Sequence, residues 1–396
     1  MPLTLTLTLE NWEHPHIQFF EDNDRMQLMY EKARRACLDR RVRCQETISK
    51  SLLAHGLAGL FIHPERVLIP SELPPNGRNP RKNTAFRCAH LPETAFETIA
   101  RSLAEGVGIA ATARIQNVDK KTVLLLLEKA AEYAGKAQSR LLSNVEVSEC
   151  QLDEMWSFIG KKEKNLDSLE KLKGELGDAW IWIAFDAVNK VVLAQVIGKR
   201  TTSHAVCLLQ EVKRVTAHMP DLFSSDQLDQ YETALLEVYG EFIQPHRKPG
   251  PGRPPKPRLV PRNNLCYVQV VKRYKNYRVV KVDRKIVFGD PEKINQILAS
   301  STVSRKINTS FVERENNTIR HTDSRCTRKT LRFSKCKRNH HRQLVLSMAY
   351  YHLCRPHGSL TKRHAKPTTP FMAARLTDHV WTMQELLRFD PGIPCQ

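Results

Sequence analysis

Apolar positions along the chain change near residue 141 from a helical spacing to short runs typical of strands. Residues 92–140 predict three helices, the last beginning after Asp119, a residue type that favours N-caps. After residue 141 the pattern predicts three antiparallel strands, a helix, a fourth strand and a second helix. The four strands are predicted at residues 151–159, 179–188, 190–198 and 221–226.

The three predicted helices are typical of a helix-turn-helix, in which a tight turn precedes the last helix. In this interpretation Lys120, Lys121 and Thr122 lie at the exposed start of the third helix, where base edges and phosphates are contacted. The alternative is a small helical bundle that carries a solvated pair of lysines. The charge of the whole chain favours the first interpretation.

The strand and helix order after residue 141 is that of a ribonuclease-H-like α/β sheet. A Pro-rich basic arm at residues 244–264 interrupts it and is either a linker or, through Arg253, a DNA minor-groove contact. A predicted hairpin and a short helix follow the arm as an insertion. The predicted divisions are a region of unknown role at 1–85, the helix-turn-helix domain at 86–140, an α/β domain at 141–385 with an insertion at about 244–305, and a tail at 386–396.

The charge of the chain narrows the class of partner. There are 62 Lys and Arg residues against 42 Asp and Glu, a formal net charge of +20, which predicts a polyanionic partner, nucleic acid before membrane. No apolar run approaches the ~20 residues that a membrane span needs. The 10 cysteines are scattered without a CxxC pair, so neither a disulfide framework nor a zinc ribbon is predicted. A reducing cytoplasm is the expected location.

Three acids occupy positions at which a sheet could bring them together. Asp153 lies in the middle of the first predicted strand, Asp226 ends the fourth, and Glu313 lies on a later predicted helix. The first and fourth strands are neighbours in a ribonuclease-H-like sheet, so their acids would face one another. Such a cluster repels itself unless a divalent cation holds it, and carboxylates with hydrated Mg2+ are the usual device for phosphoryl chemistry.

Several words of the sequence, in this order, resemble DDE transposases of bacterial insertion sequences, in particular the insertion-sequence-one (IS-one) group. Together they span roughly residues 90–385, which makes the match specific although each word alone is weak. The words are "LDEMWSFIGKKEKN", "GDAWIWIAFDAVNK", "GKRTTSHA", "SSDQLDQY", "INTSFVERENNTIR", "TRKTLRFSK" and "TDHVW".

The resemblance implies a ribonuclease-H-like catalytic core that cleaves and transfers DNA strands at transposon ends with Mg2+, or with Mn2+ as a substitute. It assigns the catalytic and metal-binding triad to Asp153, Asp226 and Glu313. It also implies double-stranded DNA partners (transposon ends and target), a homodimer or higher oligomer on DNA, no membrane, and a bacterial, nucleoid-associated location. The family places a basic residue two turns after the glutamate, where this chain has Arg320.

Other DNA contacts are predicted around that helix. Asn317 and Arg320 share a helical face with Glu313, and the basic stretch beyond the helix adds Arg328 and Lys329. Glu315 offers a second acid, but its spacing from Glu313 points it to another face.

Glu154 is predicted to be a solvent-facing or salt-bridged neighbour of Asp153. Two other functions remain open on this fold: a domesticated DNA-binding regulator without catalysis, and a structure-specific nuclease that cleaves without joining.

Overall fold

The computed structural model describes residues 81–245 and 256–390, apart from residues 82 and 88. They belong to one compact unit, Arg66–Gln396. The predicted DNA contact Arg253 and the unit Met1–Glu65 lie outside the described residues. No helix among the described residues is long and apolar enough to cross a membrane.

Three helices precede the sheet, as the apolar spacing predicts. The third begins where expected, because the Asp119 carboxylate accepts a hydrogen bond of 2.6 Å from the Lys121 backbone N–H. Its buried face packs against a helix near the C-terminus, where Gln138 Nε2 donates to the Val345 carbonyl over 3.2 Å. The helices are α1 (Glu93–Ala104), α2 (Ile109–Ile115) and α3 (Lys120–Leu141).

The predicted strands form one mixed sheet of six strands in the order β3-β2-β1-β4-β7-β8. β1 pairs antiparallel with β2 and parallel with β4, so the predicted neighbours of the first strand are confirmed. β5 and β6 form a separate two-stranded pair. The strands are β1 (Glu149–Ile159), β2 (Gly177–Asp186), β3 (Val191–Gly198), β4 (Leu222–Asp226), β5 (Glu241–Ile243), β6 (Arg258–Val260), β7 (Tyr267–Lys275) and β8 (Arg278–Phe288).

Helices cover both faces of the sheet, and β1 contributes alternate side chains to each. Leu152 belongs to the larger apolar core, which includes α5, α6 and the three N-terminal helices, whereas Met155 packs with α8 and α9 in a second core. The remaining helices are α4 (Ser168–Lys173), α5 (Thr202–Val215), α6 (Asp229–Tyr239), α7 (Pro291–Ser300), α8 (Ser310–Thr322), α9 (Lys337–Ala349), α10 (Gly358–His364), α11 (Pro370–Ala373) and α12 (Met383–Arg388).

The hairpin predicted as part of an insertion belongs to the main sheet instead. Tyr267–Val270 are buried, and residues 223–226 of β4 pair with residues 267–270 in parallel. The physical reason is the apolar start of β7, whose side chains complete the core beside β4. The α/β fold class is therefore confirmed, with β7 and β8 as strands of the sheet itself.

Candidate active site

Asp153 lies in the centre of β1, on the face covered by α8. Its Oδ1 accepts a hydrogen bond of 2.9 Å from the Glu154 backbone N–H, and its Oδ2 accepts one of 2.6 Å from Asn316 Nδ2. In the parallel ladder with β4, Leu152 pairs with Ser225. The next position along both strands therefore places Asp153 beside Asp226, on the same face of the sheet.

Asp226 and Glu313 are brought together by two shared partners. The Thr309 Oγ1 lies 2.9 Å from Asp226 Oδ1 and 2.8 Å from Glu313 Oε1. A hydroxyl has one hydrogen, so it donates to only one of these carboxylates at a time. The Lys272 ammonium lies 3.1 Å from Asp226 Oδ2 and also contacts Glu313 Oε1. One cation thus already bridges two of the three predicted acids.

Lys272 is held between these acids by charge. Burial lowers the pKa of its ammonium, but hydrogen bonds and ion pairs with Glu313 and Asp226 outweigh that effect and raise the pKa. Lys272 comes from β7, the strand beside β4, and its side chain is 21% exposed. A protonated lysine therefore neutralises part of the acidic cluster.

The Asp153 carboxyl has a strongly raised pKa. Burial above all, together with the neighbouring Glu154, Asp226 and Glu313 charges, raises its pKa to about 7, against a backbone hydrogen bond that lowers it. Electrostatically, therefore, Asp153 belongs with Asp226 and Glu313. The group loses its proton near neutral pH, where a nearby cation would favour its charged form.

The three carboxylates supply the hard oxygen ligands that Mg2+ or Mn2+ prefers. In this arrangement no three His, Cys, Asp or Glu side chains of the described chain converge closely enough to hold a metal ion. Lys272 accounts for part of this, because its ammonium occupies the space between Asp226 and Glu313. The chemistry of the donor set fits a divalent cation, provided that the Lys272 ammonium leaves.

Glu154 points to the opposite face of β1. The Arg200 Nε donates to its Oε1 over 3.1 Å, and the Tyr231 hydroxyl donates to its Oε2 over 3.3 Å. The prediction that Glu154 is a salt-bridged neighbour is therefore confirmed, although its side chain is only 8% exposed.

Glu315 also points away from the acidic cluster, as its spacing from Glu313 predicts. It is 2% exposed, and its Oε1 has no hydrogen-bond partner among the described residues. Burial raises the pKa of its carboxyl to about 7, while a hydrogen bond from Tyr351 opposes the shift. It lines a cavity with Tyr351 on the far side of α8.

The predicted DNA contacts of α8 divide between the surface and the interior. Asn317 is exposed, whereas Asn316, one residue earlier, is buried and reaches Asp153. Arg320 is half-buried and donates to the carbonyl oxygens of Cys326, over 2.8 Å, and Trp156, over 3.5 Å. The Arg320 guanidinium is therefore engaged within the protein.

The remaining predicted contacts lie at the surface. Arg328 and Lys329 are exposed in the turn after α8. Lys120 and Lys121 are exposed at the start of α3, and Thr122 beside them is half-buried.

Three residues of the cluster were missed by sequence reasoning: Lys272, Thr309 and Asn316. Asn316 carried a usable signal, because it lies one helical turn after Glu313 and therefore shares its face. Thr309 occupies the N-cap position of α8, which places its hydroxyl near the start of the helix. Lys272 carries no such signal, because the sequence pattern predicts its strand as part of an insertion.

A scan of the chain against protein-family models found no matching family, and a search of curated proteins found no match.

Proposed function

We propose that the chain is a DNA transposase with a ribonuclease-H-like catalytic core, which binds transposon terminal repeats and cleaves and transfers DNA strands with Mg2+. One observation carries the proposal: Asp153 and Asp226 lie on adjacent parallel strands, with Glu313 from α8 on the same face. The strand order β3-β2-β1-β4-β7, with β1, β4 and β7 parallel, supports a core of this type.

Asp153, Asp226 and Glu313 are the residues that would hold the metal. Bound Mg2+, or Mn2+ in its place, supplies activation of the attacking oxygen and stabilisation of the leaving oxygen in phosphodiester chemistry. The chain's own residues orient this set. Asn316 fixes the Asp153 carboxylate, and Thr309 spans Asp226 and Glu313.

Lys272 has two roles in this proposal. Without a divalent cation its ammonium neutralises Asp226 and Glu313, which would otherwise repel each other. With a divalent cation on these carboxylates, the Lys272 ammonium would be free to bind a phosphate of the DNA backbone as a point charge. In the first step water would attack the phosphodiester at the acidic cluster. In the second step a DNA 3′-hydroxyl would attack at the same site.

Binding of the DNA ends is assigned to α1–α3. The Asp119 cap leaves Lys120 and Lys121 exposed at the start of α3, where they can contact base edges and phosphates. Arg328 and Lys329 add exposed positive charge after α8. Action on paired transposon ends would need a homodimer or higher oligomer on DNA.

The test is Mg2+-dependent cleavage of labelled duplexes that carry the DNA flanking the gene, together with joining of the cut strand to a second duplex. The proposal predicts both reactions, with Mn2+ able to replace Mg2+. Cleavage without joining would indicate a structure-specific nuclease. Tight binding without cleavage would indicate a domesticated regulator, and either result would contradict the proposal.

A further inference from the structure

The outer part of the β7–β8 hairpin, residues 271–286, is here called the basic ribbon. β4 pairs with β7 only as far as Val270, so the edge of β7 has no β4 partner beyond that residue. The two strands of the ribbon pair with each other to the tip, where Lys275 lies opposite Arg278. Asn276 and Tyr277 have φ of 49° and 61°, as in the two-residue turns that connect such strands.

The ribbon is strongly and unevenly charged. It carries seven Lys and Arg side chains against one acid, Asp283. Asp283 forms ion pairs within the hairpin, with Arg273 Nε and Lys281 Nζ each 2.8 Å from its carboxylate. Six of the seven cations are exposed. The seven are Lys272, Arg273, Lys275, Arg278, Lys281, Arg284 and Lys285.

The tip of the ribbon combines two features that cost stability in the isolated protein. Lys275 and Arg278 are directly opposite, and like charges in such a pair destabilise a hairpin. Neither side chain makes an ion pair within the part of the chain that the structure describes. The Tyr277 side chain is fully exposed and Tyr274 and Val280 are 64% and 61% exposed, on a two-stranded element that is marginal by itself. A polyanion would relieve the repulsion and cover part of this surface.

We propose that the basic ribbon is a binding site for double-stranded DNA that enters the major groove. The inference rests on the proposed function and adds to it a contact surface distinct from α3. A major groove about 12 Å wide admits a two-stranded β-ribbon. Phosphates on both sides of the groove then meet the exposed cations, and the Tyr277 ring at the tip reaches the groove floor.

The position of the ribbon links this contact to the acidic cluster. Lys272 contacts Asp226 and Glu313, and Lys275 follows three residues later on the same strand. At about 3.3 Å per residue, the backbone positions of Lys272 and Lys275 are roughly 10 Å apart along β7. A duplex held by the tip therefore passes the three acids at a distance of less than one turn of the DNA helix. This places a phosphodiester near the acids.

The test compares two double variants of the whole chain. Lys275→Gln with Arg278→Gln removes two charges from the tip, and Lys171→Gln with Lys173→Gln removes two exposed charges from α4 as a matched control. Binding to a labelled duplex is measured across a range of salt concentrations. Log affinity falls linearly as log salt concentration rises. In the ribbon variant this fall is expected to be shallower by about two in slope, one for each lost phosphate contact. The control keeps the wild-type slope.

A wild-type slope in the ribbon variant, with binding otherwise intact, would overturn the inference alone. Failure of the wild-type chain to bind any duplex would contradict the proposed function as well. Misfolding is checked by thermal unfolding at low salt. The variant is expected to have a Tm equal to or above that of wild type, because one like-charge pair has been removed.

Discussion

The two adjacent acids of β1 have opposite surroundings. Glu154 faces α6 and is held by Arg200 and Tyr231, which bind its two oxygens. Asp153 faces α8, where Asn316 is its side-chain hydrogen-bond donor. Glu154 thus has its own cation, whereas Asp153, the preceding residue of the same strand, is grouped with other acids.

Two acids of α8, Glu313 and Glu315, differ in the same way. Glu315 is more deeply buried than Glu313, whose side chain is 43% exposed, yet it lies away from the cluster. Glu313 shares Lys272 and Thr309 with Asp226. Burial and a raised pKa therefore do not identify the site residues, since Glu315 has both. What distinguishes Glu313 from Glu315 is the pair of partners that it shares with Asp226.

The largest expected effect is loss of catalysis in the acids that converge. Asp226→Asn and Glu313→Gln each remove a charge from the proposed metal site, which should lower the cleavage rate by at least about 10^3-fold, because a metal contributes several kcal/mol. Glu315→Gln is the matched control on the same helix and should retain activity. The measurement is Mg2+-dependent cleavage of a labelled end. Equal losses in Glu313→Gln and Glu315→Gln would remove the distinction between the two faces of α8.

A smaller effect is expected on stability as a function of pH. The pKa of Asp153 rises from 3.8 to about 7 on folding, so the folded state binds more protons between these values. Without divalent metal, the contribution of Asp153 to the free energy of unfolding falls as pH rises from about 4 to about 7, by at most about 4 kcal/mol. Asp153→Asn should remove this contribution, as measured by urea unfolding across that pH range.

Added Mg2+ provides the control for this pH dependence. The metal competes with the proton on Asp153, so it should stabilise the wild type more at pH 8 than at pH 5. The same shift at both pH values would show that Asp153 is not linked to the metal.

A still smaller effect is expected from the cation shared by Asp226 and Glu313. Lys272→Gln should lower the Mg2+ concentration for half-maximal thermal stabilisation by about three- to tenfold, because the ammonium no longer competes for the two carboxylates. Arg200→Gln, which removes the cation of Glu154, is the matched control and should leave that concentration unchanged. A higher Mg2+ requirement in Lys272→Gln would mean that the lysine assists the metal.

Much of the fold could be predicted because its signals are local. The strand at Leu222–Asp226 and the helix that Asp119 caps follow from apolar spacing and one N-cap residue. The hairpin of β7 and β8 could not be placed. A basic Pro-rich stretch precedes it, and the choice between an insertion and a strand beside β4 depends on tertiary pairing.

The site was only partly predictable for a similar reason. Asp153 and Glu154 share one strand, and period-two alternation separates them without showing which face holds the other acids. The position of Asp153 in the strand and the resemblance both favour Asp153 as the acid of the cluster. The partners Lys272 and Asn316 depend on side-chain reach across the sheet, where neighbouring residues such as Asn316 and Asn317 are not distinguished by type.

The most direct test of the account compares Asp153→Asn with Glu154→Gln on one DNA. Each variant is assayed for Mg2+-dependent cleavage of a labelled transposon end, beside a gel-shift on the same duplex. The account predicts that Asp153→Asn binds DNA but neither cleaves nor joins it, whereas Glu154→Gln does all three. Full activity in Asp153→Asn, or loss of activity in Glu154→Gln alone, would contradict it.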